Sequence, residues 1–185
     1  HSGRSLGVRA DTTPQVARID AHLLNRQGLT RLCYCGPVLH TRPATAHASR
    51  EPLQFGAEIY GHSGLEADLE VMELALASLE IGGVSDTLID FSDVRIAAAL
   101  MSAHSLAAAL QATIYQALAA KDASAIKEMT ELDAELCADL LALLGLYGNL
   151  SVLKKARQTL PALPAVTAAL DGLDWIAKQL AASGL

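Results

Sequence analysis

Polar side chains alternate with apolar ones along the stretch LQFGAEIY, residues 53–60. Successive side chains of an extended strand point to opposite faces, so Gln54, Gly56, Glu58 and Tyr60 share one face. An amide and a carboxylate about 13 Å apart along a strand could bracket a small polar ligand with hydrogen bonds. Gly56 has no side chain and would leave the floor between them open. The same pattern also fits a solvated sheet face.

Positive charge is concentrated near the start of a chain that is acidic as a whole. The net charge is −6 and the pI is near 5.4, which argues against broad nucleic-acid binding. The arginines of the first 50 residues are Arg4, Arg9, Arg18, Arg26, Arg31, Arg42 and Arg50. This local excess fits a site for an anionic or carboxylate-bearing ligand, a docking face, or a solvated surface.

The three cysteines, Cys33, Cys35 and Cys137, neither pair up nor form a zinc-binding set. We therefore expect no metal site and no cofactor. Free thiols predict a reducing, cytoplasmic compartment. Neither a signal peptide nor an uninterrupted apolar run of membrane-spanning length is evident.

Periodicity predicts that the first half mixes strands and helices. The predicted strands are residues 4–10, 31–39, 53–60 and 84–91. One helix is predicted from Thr13 and Pro14 to Gly28, and a second between Ser63 and Gly82. The strands 31–39 and 53–60 are expected to form a long-looped antiparallel hairpin.

Strand signals vanish near residue 93, after which alanine and leucine dominate. Four helices are predicted there, over residues 95–120, 123–145, 150–159 and 164–182. We therefore expect an α+β domain over residues 1–93 and an all-helical domain over residues 94–185.

Four sequence segments of the first half resemble those of class II aminoacyl-tRNA synthetases, and more narrowly those of the histidyl-tRNA synthetase branch. The segments are VRADTTPQVAR (8–18), YCGPVLHTRP (34–43), REPLQFGAEIYG (50–61) and DLEVMEL (68–74). The resemblance implies an antiparallel sheet with flanking helices, followed by an all-helical insertion.

Three positions that match the ATP-binding residues of the synthetase hold residues that cannot make the same contacts with ATP. His40 and Thr41 stand where the family has an arginine and a glutamate, and Pro52 replaces an aromatic residue that stacks on adenine. An imidazole is not a permanent bidentate cation, and a pyrrolidine has no π-face. By this resemblance, adenylate formation is expected to be lost.

The positions that match the amino-acid site are retained. The resemblance implies that Asp11 and Thr13 hold the ammonium group of histidine, Gln54 its carboxylate side, and Glu58 its imidazole. These pairings suit a zwitterion, since an ammonium needs acceptors and an imidazole N–H needs a carboxylate.

Retained amino-acid contacts without ATP contacts resemble the non-catalytic regulatory subunit family of ATP phosphoribosyltransferase. That resemblance implies activation of a short-form catalytic subunit, L-histidine as feedback inhibitor, and a regulatory-subunit dimer within a hetero-octamer. It implies no nucleic-acid or membrane partner. The alternatives are a histidyl-tRNA synthetase and a stand-alone relative of the fold that binds another amino acid. Both families carry further segments at each end, so we expect a fragment with an incomplete pocket.

Overall fold

The computed structural model describes residues 3–5, 7–43 and 45–183 of the 185-residue chain. Contacts within the chain divide it into two compact units, one up to Ser78 and the other from Leu79 onward. In the described residues, the first unit contains a two-stranded sheet with helices and the second is helical.

The sheet of the first unit is an antiparallel hairpin of β1, Thr30–Pro37, and β2, Leu53–Tyr60. The limits of β2 are those of LQFGAEIY, which confirms the predicted strand. Beyond the strands, Val38 N donates to Pro52 O over 3.1 Å and His40 N donates to Arg50 O over 2.8 Å. These bonds continue the pairing toward the loop, so the predicted hairpin is confirmed.

The helix predicted after DTTP is α1, Thr13–Arg18, which continues as a π-helix over Ile19–Leu24. A proline in its first turn suits the start of α1, because the amide hydrogen it lacks would have no partner there. Asn25 has a left-handed backbone (φ 41°) and ends the helical segment. The helix therefore stops short of Gly28, where the sequence predicted its end.

The apolar face of the hairpin faces α2, Leu65–Ile81. The Arg31 guanidinium donates to both carboxylate oxygens of Glu70, over 2.5 and 2.7 Å, and so ties β1 to α2. A cavity of about 400 Å³ lies here, and its lining includes Cys33, Phe55, Ala57, Val71 and Leu74.

Two predicted strands are wrong. Residues 7–10 are not in a strand, and Leu6 lies outside the described residues. Residues 84–91 are irregular, with Asp86 at φ 57° and the Leu88 side chain 92% exposed. A strand needs a ladder of backbone partners. Leu39 N donates to Arg9 O over 2.9 Å, but this bond lies beyond β1, and no described strand pairs with either segment.

The helical unit contains α3 to α8 and buries a continuous apolar core. The helices are Val94–Ser102, Ala108–Ala119, Ala123–Glu128, Ala134–Leu144, Ser151–Thr159 and Pro164–Ser183. The fully buried large side chains are Leu100, Ile114, Ile126, Leu136, Leu140 and Val166. Among the described helices, none has the length and hydropathy needed to cross a membrane.

The predicted helices 95–120 and 123–145 are each broken into two. The first break follows Ser102, and the second lies between Glu128 and Ala134. Asp133 accepts from Leu136 N over 2.8 Å and starts α6, while its other oxygen lies 2.7 Å from His104 Nδ1. Alanine and leucine favour a helix throughout this region, so neither break could be predicted from residue propensities.

Candidate functional site

Three of the four predicted ligand-binding residues meet where the chain turns into α1. The Gln54 side chain accepts a hydrogen bond from Thr12 N over 2.9 Å and donates to Asp11 Oδ1 over 2.8 Å. Asp11 Oδ1 also accepts from Thr13 N over 3.0 Å. Gln54 therefore fixes the position of Asp11 at the start of the helix.

These bonds keep Asp11 ionised. The hydrogen bond from the Gln54 amide, joined by the Thr13 backbone N–H, lowers the pKa of the Asp11 carboxyl from its ordinary value. Among the described residues, the second hydrogen on Gln54 Nε2 is available for another acceptor. This end of the hairpin thus offers both a carboxylate and an amide donor.

Tyr34 covers the position where an open floor was expected. Tyr34 stands opposite Gly56 in the register, and a Cβ on Gly56 would lie 2.5 Å from Tyr34 Oη and 2.6 Å from Cζ. The Tyr34 hydroxyl is 3.1 Å from Thr13 Oγ1. The floor beside Gln54 is therefore an aromatic ring held by Thr13, and the expected gap above Gly56 is absent.

Glu58 lies four residues along β2 from Gln54, beyond Gly56. One carboxylate oxygen, Oε2, accepts a hydrogen bond from the Tyr60 hydroxyl, whereas Oε1 is buried and has no partner among the described residues. Burial raises the pKa of Tyr60 to about 12, and the neighbouring Glu58 carboxylate adds to the shift. Tyr60 consequently stays protonated and acts as the donor.

Arg9 supplies positive charge at the Gln54 end of the hairpin. Its Nε donates to Pro37 O over 3.1 Å, and a Cβ on Gly36 would lie 3.1 Å from Arg9 Nη2. The guanidinium therefore lies against β1 at Gly36, the residue that stands opposite Gln54 on β2. A cavity of about 610 Å³ here is lined in part by Arg9, Gln15 and Glu51.

The positions that match the ATP site lie where the hairpin continues beyond β1 and β2. His40 and Pro52 are half-buried, and Thr41 is exposed in a bend. The backbone bond from His40 N to Arg50 O makes these two residues neighbours across the hairpin. In the described residues, no set of three His, Cys, Asp or Glu side chains is arranged to hold a metal ion.

A family model described as histidyl-tRNA synthetase matches residues 1–184. The chain belongs to the histidyl-tRNA synthetase family. The matched residues include all four sequence segments that resemble this family, so the predicted membership is confirmed. The helical second half also falls within the match.

Curated relatives in this family are similar along nearly the whole chain. A protein from Verminephrobacter eiseniae, named ATP phosphoribosyltransferase regulatory subunit, is 58% identical over 180 residues, which are 97% of this chain and 47% of that protein. A protein of the same name from Variovorax paradoxus is 59% identical over 184 residues, which are 98% of this chain and 47% of that protein. The chain therefore spans about half the length of the curated relatives it matches.

A solved structure from Bacillus halodurans is described as an ATP phosphoribosyltransferase regulatory subunit/histidyl-tRNA synthetase. It matches with a TM-score of 0.80 and 25% identity, covering 95% of this chain and 46% of that one. This match confirms the predicted class II synthetase-like fold, an antiparallel hairpin with flanking helices followed by helices alone.

The sequence analysis did not assign a role in the candidate site to Tyr34, Tyr60, Thr12 or Arg9. Tyr60 shares the face of Gln54 and Glu58, a signal already present in the strand's period of two. Tyr34 could be found only from the register that sets it opposite Gly56. Thr12 contributes its backbone N–H, and its buried hydroxyl has no partner among the described residues.

Proposed function

We propose that this chain is part of a regulatory, non-catalytic subunit of ATP phosphoribosyltransferase, which acts in the first step of L-histidine biosynthesis. The names of the two relatives at 58% and 59% identity support this assignment over a synthetase. The subunit would activate a short-form catalytic subunit and bind L-histidine as feedback inhibitor.

The observation that carries histidine binding is the position of two unsatisfied polar atoms. Among the described residues, the buried side-chain atoms without a hydrogen-bond partner are Thr12 Oγ1 and Glu58 Oε1, and both belong to the candidate site. A buried polar atom left unpaired costs about 1–3 kcal/mol, so such atoms are usually satisfied. A bound ligand that donates to Glu58 Oε1 would remove this cost.

Each polar group of L-histidine has a chemically complementary side chain in the proposed site. The ionised Asp11 and the Thr13 hydroxyl suit an ammonium group, and the Gln54 amide suits a carboxylate. Glu58 Oε1 would accept the imidazole N–H. The Tyr34 ring, between these ends, would serve as an apolar surface under the ligand.

The residues at the positions that match the ATP site support a subunit that does not activate histidine. His40, Thr41 and Pro52 stand where the synthetase pattern requires an arginine, a glutamate and an aromatic ring. Loss of one electrostatic contact to the transition state costs about 3–4 kcal/mol, which is a rate loss of roughly two to three orders of magnitude. ATP-dependent exchange is therefore expected to be absent.

The proposed partners are the catalytic subunit and further copies of the regulatory subunit, arranged as dimers within a hetero-octamer in the cytoplasm. Histidine would inhibit by binding one state of that assembly more tightly than the other. The all-helical region, residues 94–185, is proposed as a separate domain.

The decisive experiment is reconstitution of the intact protein with its catalytic subunit and measurement of phosphoribosyl transfer against histidine concentration. Glu58→Gln should weaken histidine inhibition while activation persists, because the negative charge is lost and one of the two acceptor oxygens becomes an NH2 donor, while the size is kept. Glu80→Gln, an exposed change on α2, is the matched control. Failure to co-purify with the catalytic subunit, or inhibition unchanged by Glu58→Gln, would refute the proposal.

A second assay separates the proposal from the synthetase alternative. Histidine-dependent exchange of pyrophosphate into ATP is measured on the intact protein. No exchange is expected. Clear exchange would refute the proposed regulatory function and support a catalytically active histidyl-tRNA synthetase.

A further inference from the structure

The two oxygens of the Glu58 carboxylate have different surroundings. Oε2 accepts the Tyr60 hydroxyl, while Oε1 is buried without a partner among the described residues. Residues two apart on a strand have Cα atoms about 7 Å apart, so the Tyr60 ring has to extend back along β2 to reach Glu58. One oxygen is therefore occupied by the protein and the other is left for something else.

The neighbours of Glu58 explain why Oε1 stays unpaired. Leu32 stands directly opposite Glu58 in the register, and its side chain has no hydrogen-bond donor. Gly56, the previous residue on this face, has no side chain. Among the described residues, Tyr60 is the group that donates to this carboxylate, and its single hydroxyl hydrogen can serve only one oxygen.

Tyr60 is held as a donor by its own surroundings. Its pKa is raised to about 12, first by burial and then by the hydrogen bond to Glu58. The phenol therefore keeps its proton across the whole physiological range. Tyr60 is half-buried, and its register partner, Thr30, is buried.

We infer that Tyr60 is a positioning residue that fixes the Glu58 carboxylate, leaving one acceptor that selects ligands carrying a ring N–H. This inference rests on the proposed histidine site and adds a specificity-determining residue to it. Without the Tyr60 hydrogen bond, the carboxylate could rotate and both oxygens would need new partners. A ligand ring without an N–H would leave Oε1 buried and unpaired, which disfavours its binding.

The test is calorimetry on the intact protein with L-histidine and with L-thiazolylalanine, a similar amino acid whose ring has no N–H. Tyr60→Phe removes the hydroxyl and keeps the ring. We expect histidine to bind about tenfold to a hundredfold more weakly, as for the loss of a hydrogen bond to a charged group. Binding of thiazolylalanine should change little, so the preference for histidine should fall.

Two further variants make the result decisive. Tyr147→Phe, at a tyrosine that is 74% exposed in the helical unit, should leave both affinities unchanged. In a Glu58→Gln background, Tyr60→Phe should have a much smaller effect on histidine, because the two residues act through one hydrogen bond.

The outcomes distinguish this inference from the function on which it rests. If the unmodified protein does not bind histidine, the proposed function fails. If it binds histidine but Tyr60→Phe leaves the preference over thiazolylalanine unchanged, or lowers both affinities equally, only the inference about Tyr60 is overturned. An undiminished effect of Tyr60→Phe in the Glu58→Gln background would also overturn it.

Discussion

The Tyr34 ring occupies the space that a side chain at position 56 would need. A Cβ on Gly56 would lie 2.5 Å from Tyr34 Oη and 2.6 Å from Cζ, which is closer than real Cβ atoms approach their neighbours, so the ring would have to move. Because the same hydroxyl reaches Thr13, the bare strand position links β2 to the start of α1. Gly56 therefore serves to admit an aromatic ring.

Gly56→Ala should destabilise the protein by about 1–3 kcal/mol, because overpacking displaces Tyr34. Thermal or urea unfolding measures the loss. In a Tyr34→Ala background the clash is gone, and Ala should then be neutral or favourable, since glycine is a poor strand residue. An equal loss in both backgrounds would contradict the contact.

Gln54→Glu should loosen the turn into α1 and weaken histidine binding. The new carboxylate would face Asp11 at the site of the present 2.8 Å hydrogen bond, and like charges at that distance raise the pKa of Asp11. Melting temperature and calorimetric affinity are the measurements. Adding Asp11→Asn should restore part of the stability but not the affinity, because position 54 would still present a carboxylate, and not an amide donor, to the carboxylate of the ligand.

The hairpin was predictable because its pattern is local. LQFGAEIY alternates through its full length, and β2 has the same limits. The contact of Tyr34 with Gly56 was not predictable, because it depends on a register set jointly by two strands. Residues 84–91 were also predicted as a strand, but they have no strand partner among the described residues, and Leu88 is exposed. The candidate ligand-binding residues were predicted from family resemblance, whereas their hydrogen bonds could be seen only in the folded structure.

Leu136→Ala should lower the free energy of unfolding by about 2–5 kcal/mol, because Leu136 is fully buried (0% exposed) in the helical core. Urea denaturation followed by circular dichroism measures the change. Leu88→Ala is the matched control, since that side chain is 92% exposed and should change stability by less than about 0.5 kcal/mol. Similar losses for the two variants would contradict the described core.

Asp133 should make the helical unit sensitive to acid. The Leu136 backbone N–H, and to a lesser degree His104, lower the pKa of the Asp133 carboxyl from its ordinary 3.8. A lowered folded pKa gives stabilisation that is complete above about pH 4 and is lost as pH falls through the folded value. Asp133→Asn keeps an acceptor for Leu136 but carries no charge.

Melting temperatures of the unmodified protein and of Asp133→Asn should therefore differ at pH 6 and converge toward pH 3. The convergence follows because protonation of Asp133 removes the charge that the variant lacks throughout. Asp122→Asn is a suitable comparison, since Asp122 also caps a helix, α5, through backbone N–H groups but has no histidine partner in the described part of the chain. A gap between the protein and Asp133→Asn that stays constant from pH 6 to pH 3 would show that the charge of Asp133 does not stabilise the junction of α6 with His104.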